Sequence, residues 1–205
     1  MIRRTYERCK LTDMHVMVVT DDKRIVDECL THSIPVDIVT EECKTGTDRV
    51  ARCAERNPQA DWIINVQGDE PFANPDDILR VARQMENGDH REVVNGMSRI
   101  TNKDDLFNVT IPKMIAWDGL LKYASRAPVP YPYGPSEDLW KRSAMQQVCI
   151  YGFFRHHLEK FLEQTEKTKT TSTKRKLKNN SNNKSNVKYK NNILNKIKRK
   201  EIQNI

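Results

Sequence analysis

The run Ile63-Ile64-Asn65-Val66-Gln67-Gly68-Asp69-Glu70-Pro71 leaves the chain few local choices. Trp62, Ile63, Ile64 and Val66 read as a short buried parallel strand. Gly68 then frees the backbone, two carboxylates follow, and Pro71 stops further pairing. In an open α/β sheet, ligands sit just beyond the carboxyl ends of strands. A carboxylate at that point is placed to hold a metal and a phosphate. The same pattern also suits an ordinary strand ending in a polar turn, so its neighbours have to decide.

Those neighbours alternate strand and helix. Ile2 to Lys10 reads as a helix, and His15 to Val19 as an apolar strand. Thr20-Asp21-Asp22 caps a helix whose buried face is Ile25, Val26, Cys29 and Leu30; Pro35 ends it and Val36 to Thr40 is a second strand. After the turn Lys44 to Thr47, Asp48 to Arg56 is helical. Asn74-Pro75-Asp76-Asp77 is a strong helix start, with Ile78, Val81, Ala82 and Met85 as the inner stripe. This order predicts an α/β, Rossmann-like wound, mostly parallel sheet. The second half predicts a small antiparallel subdomain. It has a strand from Val93 to Ile100, a hairpin closed by Asp118-Gly119, an extended arm Pro128 to Pro135, a strand Gln146 to Phe154 and a short helix His156 to Gln164.

Charge divides the chain. From Glu166 onward there are 13 Lys and Arg against 2 Asp and Glu, whereas residues 1–165 carry 22 against 26. The net +7 therefore belongs to the tail, which is expected to be disordered, and the domain division falls at 1–165 and 166–205. A basic tail can touch nucleic acid, but such runs are more often solvated ends, so nucleic acid is not the expected partner. The five cysteines lack Cys-x-x-Cys spacing, and no window suits a signal peptide or membrane span. A cytoplasmic protein with free thiols and no membrane partner is expected.

Four stretches then fall in order: Thr45-Gly46-Thr47-Asp48-Arg49, Asn65 to Pro71, Tyr123-Ala124-Ser125-Arg126-Ala127-Pro128-Val129-Pro130, and Ile150-Tyr151-Gly152-Phe153. Together they resemble the CMP-Kdo synthetases, the 3-deoxy-manno-octulosonate cytidylyltransferases, over roughly residues 1–163. The resemblance implies an enzyme of the Mg-dependent nucleotidyltransferase type. It would transfer CMP from CTP to an acidic eight-carbon sugar, a step of lipopolysaccharide precursor synthesis, and release pyrophosphate. It implies Mg²⁺ on Asp69, with Asp69 and Arg126 catalytic. Gln67, Arg126, Gln147 and Tyr151 would bind the sugar, and Gly46, Thr47, Asp48 and Arg49 the nucleotide. A homodimer is implied as well. Taken singly, Thr47-Asp48 is a helix cap, Arg126 a surface cation and Tyr151 a core aromatic; their order favours the functional reading.

Three departures from that family carry expectations of their own. The family's first strand and its triphosphate-gripping cations align before Met1, so the two strands beside that position should have open edges. The family's second metal-binding aspartate falls where this chain has its Lys/Asn-rich tail, and the compositional break there indicates an altered end. A family histidine aligns with Gln147, which predicts an altered sugar such as an 8-amino relative of Kdo. Two other readings compete: a non-catalytic remnant that binds sugar, nucleotide or a complete subunit, and a basic-tailed nucleic-acid-binding protein.

Overall fold

Side-chain caps set three of the helix starts of the first half. The computed structural model describes residues 1–88, 93–131 and 139–179. α1 spans Ile2–Lys10, β1 Val18–Thr20, α2 Lys23–Thr31, β2 Val36–Ile38, α3 Gly46–Arg56, β3 Trp62–Val66 and α4 Pro75–Asn87. Asp22 accepts from the Arg24 N–H and opens α2. Thr45 and Asp48 form a reciprocal capping box at α3, two residues earlier than the expected helix start. Asn74 accepts from the Asp76 N–H at α4, and Ile78, Val81, Ala82 and Met85 are buried as its inner stripe.

The second half adds β4 (Val94–Arg99), α5 (Lys103–Phe107), β5 (Lys113–Trp117), β6 (Leu120–Ser125), α6 (Leu139–Ser143), β7 (Met145–Phe154) and α7 (Arg155–Asn179). Asp118 and Gly119, both at positive φ, close the β5–β6 hairpin as expected. Residues 126–131 lie outside any helix or strand, as the prolines require; 132–135 of the expected arm fall outside the described residues.

The main sheet corrects the expectation of a mostly parallel one. Its order is β3-β7-β5-β6, with β4 also on β7, and every one of its pairings is antiparallel. The cause is β7. The unit β3-α4-β4 does run its two strands in the same direction, as a crossover helix demands. But β7 enters between them in the opposite direction, pairing Val66↔Ile150 with β3 and Val94↔Gly152 with β4. Among the described residues the one parallel pair is β1–β2, a separate two-stranded sheet.

β1 and β3 are thus each paired on one side only among the described residues. In β3 the effect shows in burial. Trp62, Ile64 and Val66 pack on the α4 cluster and Ile63 on the opposite cluster, yet all five residues stay half-buried. Two helices hold the sheets together. α1 puts Ile2 and Tyr6 against Val18, Cys29 and Ile34, while Cys9 joins Val81 and Ile150. α3 packs Ala51 and Ala54 on Ile63, Phe153, Leu158 and Leu162.

The short helix expected over 156–164 is the first part of α7, which continues to Asn179. Glu166 lies at the expected break and binds Arg52 of α3 at 2.7 Å. The expected disorder of the tail concerns, beyond Asn179, residues outside those described. Cys9, Cys29, Cys43, Cys53 and Cys149 are all free thiols. Among the described residues no helix is long and apolar enough to cross a membrane.

Candidate active site

Register sorts the residues of β3 and β7 onto two faces, because successive side chains alternate. Asn65 stands opposite Tyr151 and Ile63 opposite Phe153, so these four share a face. Gln147 and Cys149 continue that face along β7. One end of it is apolar and covered by α3 and α7; the other is polar and uncovered by either. Gln67 extends the polar end, its N–H donating to the Cys149 carbonyl at 3.3 Å.

The turn after β3 is held from below by α1. Thr5 donates through Oγ1 to the Gly68 carbonyl at 3.0 Å, and Arg8 through Nε to the Ala73 carbonyl at 2.9 Å. A β-carbon at Gly68 would come within 3.1 Å of the Ile2 side chain, so the turn sits tightly on the helix. Gln67, Gly68 and Asp69 are exposed on top of it and Glu70 is half-buried.

Cys149 reports what surrounds it. Burial pushes its thiol up to about 11, and the carboxylates of Glu70 and Asp69 push the same way. The Arg126 guanidinium pulls in the opposite direction. The charges of Asp69, Glu70 and Arg126 thus all act on this half-buried thiol, which remains protonated at neutral pH.

Arg126 is fixed by backbone. Its Nη1 donates to the carbonyls of Val109 and Thr110. Directly behind it, Lys113 is fully buried and donates through Nζ to the carbonyls of Asn108 at 2.5 Å, Ile111 at 2.9 Å and Arg126 itself at 3.2 Å. Burial and the neighbouring Arg126 hold the Lys113 pKa below its ordinary 10.5. Two cations thus share the carbonyls of one turn. On β7, Gln147 donates through Nε2 to the Tyr151 hydroxyl at 2.7 Å and to Asn95 Oδ1 at 3.2 Å.

The helix start expected to hold nucleotide has a different local chemistry. Asp48 is buried and accepts from the Thr45 N–H and hydroxyl, both at 2.7 Å, so its carboxylate serves the cap. Arg49 turns to Asp21 at the end of β1, at 2.7 Å. Gly46 is exposed, with open space where a β-carbon would stand. The structure therefore gathers Gln67, Asp69, Arg126, Gln147 and Tyr151 around β3 and β7, and sets Gly46 to Arg49 at the α3 N-terminus beside β1. Three neighbours were not read from the sequence: Glu70, Lys113 and Asn95. Glu70 was legible as the second carboxylate of the turn, whereas nothing in the sequence marks Lys113 or Asn95.

The sequence model of the family described as Cytidylyltransferase matches residues 1–200. The chain belongs to the cytidylyltransferase family. The match extends beyond the compositional break at Glu166. Among curated relatives, a 3-deoxy-manno-octulosonate cytidylyltransferase of Alcanivorax borkumensis is 38% identical over 135 residues, which is 64% of this chain and 53% of that one. One from Polynucleobacter asymbioticus is 32% identical over 157 residues, 75% of this chain and 61% of its own length. The chain thus spans between half and two thirds of these curated relatives. Among solved structures, CMP:2-keto-3-deoxy-manno-octonic acid synthetase complexed with CTP has a TM-score of 0.70 at 23% identity, covering 98% of this chain and 78% of that one. The 4-diphosphocytidyl-2C-methyl-D-erythritol synthase of Anaerococcus prevotii has a TM-score of 0.52 at 12% identity, with the same coverage. Both similarities establish the fold: this is a cytidylyltransferase-type α/β protein with an antiparallel main sheet.

Proposed function

We propose that the protein transfers CMP from CTP to a 3-deoxy-manno-octulosonate-type sugar acid, giving the CMP-sugar and pyrophosphate for lipopolysaccharide precursor synthesis. What supports this reading is the polar face of β7, where Gln147 is bonded to Tyr151 and the Cys149 carbonyl takes the Gln67 N–H next to the carboxylate turn Asp69-Glu70, in a member of the cytidylyltransferase family. The residues we assign to the site all fall within 1–165, which we take as the catalytic unit, with 166–205 as a basic appendage.

Each side chain suits a part of the reaction. The reacting hydroxyl of the sugar attacks the α-phosphate of CTP, and pyrophosphate leaves. Arg126, anchored on two carbonyls, offers its remaining N–H groups to an anionic oxygen, in the manner of guanidinium–carboxylate pairs. Gln67 and Tyr151 supply neutral hydrogen bonds for sugar hydroxyls. The N–H groups at the start of α3, with Gly46 and Thr47, favour a nucleotide phosphate nearby. Cys149, held as a thiol, is no nucleophile here, which is consistent with direct attack.

Asp69 suits Mg²⁺. It is an exposed carboxylate beside a second one, and Mg²⁺ is commonly held by one or two carboxylates together with substrate phosphates. No group of three or more potential ligands occurs among the described residues, so the phosphates would complete the shell. When bound, the ion would offset charge on the phosphates. The plain sugar acid is the better candidate than its 8-amino relative, because the relatives above carry the plain-sugar name. We also infer a homodimer working in the cytoplasm.

The test is pyrophosphate release from CTP with 3-deoxy-manno-octulosonate and Mg²⁺. Asp69→Asn should lower the rate by about a hundredfold or more. No release by the wild-type chain at saturating substrates would sink the proposal.

A further inference from the structure

Asn95 is fully buried in β4, where the ladder to β7 is irregular. The register shifts between Asn95 and Met97, and Gly96 lies so close to β7 that a β-carbon would be 3.0 Å from Val148 Cβ. The Asn95 side chain repairs the ladder. Its Nδ2 donates to the carbonyls of Val148 at 3.0 Å and Ile150 at 3.1 Å. Two carbonyls can be met only by N–H groups, so the amide has one allowed orientation. Its Oδ1 must then face Gln147, from whose Nε2 it accepts at 3.2 Å. The other Nε2 proton goes to the Tyr151 hydroxyl at 2.7 Å.

Both amide protons of Gln147 are used in this way, and what Gln147 can offer a ligand is Oε1, which only accepts. Turning the Gln147 amide over would set Oε1 against Asn95 Oδ1, two acceptors facing each other. A buried mismatch of that kind leaves both oxygens unsatisfied and disfavours the turned-over amide. The backbone carbonyls of β7 thus dictate, through two amides in series, the polarity of a point in the candidate site.

We propose that Asn95 is a positioning residue that locks the Gln147 amide with Oε1 as its free function, so that this point takes a hydroxyl or ammonium group of the ligand and rejects a carboxylate or phosphate. The proposal divides the labour within the site. An acidic sugar would lay its carboxylate toward Arg126 and a hydroxyl of its carbon chain on Gln147. The choice of sugar acid rests on the function proposed above; the orientation of the two amides does not.

Two measurements separate these. The first is hydrogen exchange of the side-chain amide protons of Asn95 and Gln147 by NMR, without ligand. Both sets should be protected, and Asn95→Leu, which keeps the volume and removes the polarity, should release those of Gln147. Unprotected amides in the wild-type protein, or unchanged Gln147 protection in the variant, would overturn the proposal. The second is calorimetric binding of 3-deoxy-manno-octulosonate and of analogues each lacking one further hydroxyl, with CTP titrated alongside. At one position the loss of the hydroxyl should weaken wild-type binding about tenfold and leave Asn95→Leu unaffected, with CTP affinity unchanged in both. Equal losses for both proteins at every position, or parallel losses of sugar and CTP binding, would reduce Asn95 to a structural role. Protected amides in a protein that binds no sugar acid would uphold the orientation and refute the proposed substrate.

Discussion

Replacing Lys113 with methionine tests the link between the hairpin and the site. The ammonium is fully buried, and its three protons meet three carbonyls, those of Asn108, Ile111 and Arg126. Methionine keeps most of the chain length and removes the donor. Each hydrogen bond to a charged group is worth about 1.5–3 kcal/mol net, so three give a gross loss of about 5–9 kcal/mol. Two effects offset part of it. The cost of burying an ammonium, several kcal/mol, disappears. Asn108 is exposed, so its carbonyl can bind water instead. A net destabilisation of about 2–4 kcal/mol remains, a large share of the ~5–15 kcal/mol that holds a domain folded. In urea this moves the unfolding midpoint down by about 1–2 M at unchanged slope. The pH dependence adds a second signature. Because burial holds the folded pKa below 10.5, the unfolded chain binds the proton more tightly, and stability rises with pH between the depressed value and 10.5. Lys113→Met should remove that rise. An unchanged urea midpoint would show that the carbonyls lose nothing without the cation, and the reasoning would fail.

Three further outcomes follow from single contacts. Burial, then His156 and Lys160, lower the pKa of His157 to about 4, and its Nδ1 is buried without a partner. The unfolded chain takes up this proton near 6.5 and the folded one only near 4. Stability is therefore full above pH 6.5 and falls as pH drops toward 4, by about 1–2 kcal/mol after allowance for partial exposure; His157→Phe should flatten that slope in urea melts. Gly152→Ala would put a β-carbon 2.5 Å from Met85 Sδ and 3.2 Å from Val81 Cγ1, for a loss of about 1–3 kcal/mol by thermal melting; a wild-type melting temperature would show that Met85 yields freely. Thr45→Val should cost about 1 kcal/mol and speed amide exchange in the first turn of α3, because the capping box is lost.

Local chemistry was readable from the sequence wherever the cause was itself local. Asp22, Asn74 and Pro75 announce helices, and Asp118-Gly119 a hairpin, through contacts only a few residues long, whereas the α3 cap is Thr45 and not the expected Thr47-Asp48. The resemblance assigned Gln67, Asp69, Arg126, Gln147 and Tyr151 to one site; of these, Gln147 and Tyr151 are bonded to each other on β7 and Gln67 pairs with the Cys149 carbonyl beside them. What the sequence hid was non-local. Nothing near Ile150 says that β7 will pass between β3 and β4 against their direction, or that Gly152 will lie close under Met85 of α4. Lys113 reads as a surface cation at the edge of an apolar run. Its burial is possible only because chain closure brings the Arg126 carbonyl to it. Asn95 reads as a polar interruption of a strand, and its purpose appears only with the bulge at Gly96. The helix beyond Gln164 escaped notice because Lys and Thr gave no apolar stripe, whereas the anchor that starts it, Leu158 and Leu162 on α3, was in plain view.

Phosphorus NMR of CTP incubated with the chain, Mg²⁺ and 3-deoxy-manno-octulosonate puts the function to the most direct trial. The expected result is loss of the triphosphate signals with equal growth of pyrophosphate and of one CMP phosphodiester, and neither product when the sugar acid is left out. Intact CTP after prolonged incubation, or pyrophosphate formed equally well without the sugar acid, would contradict it.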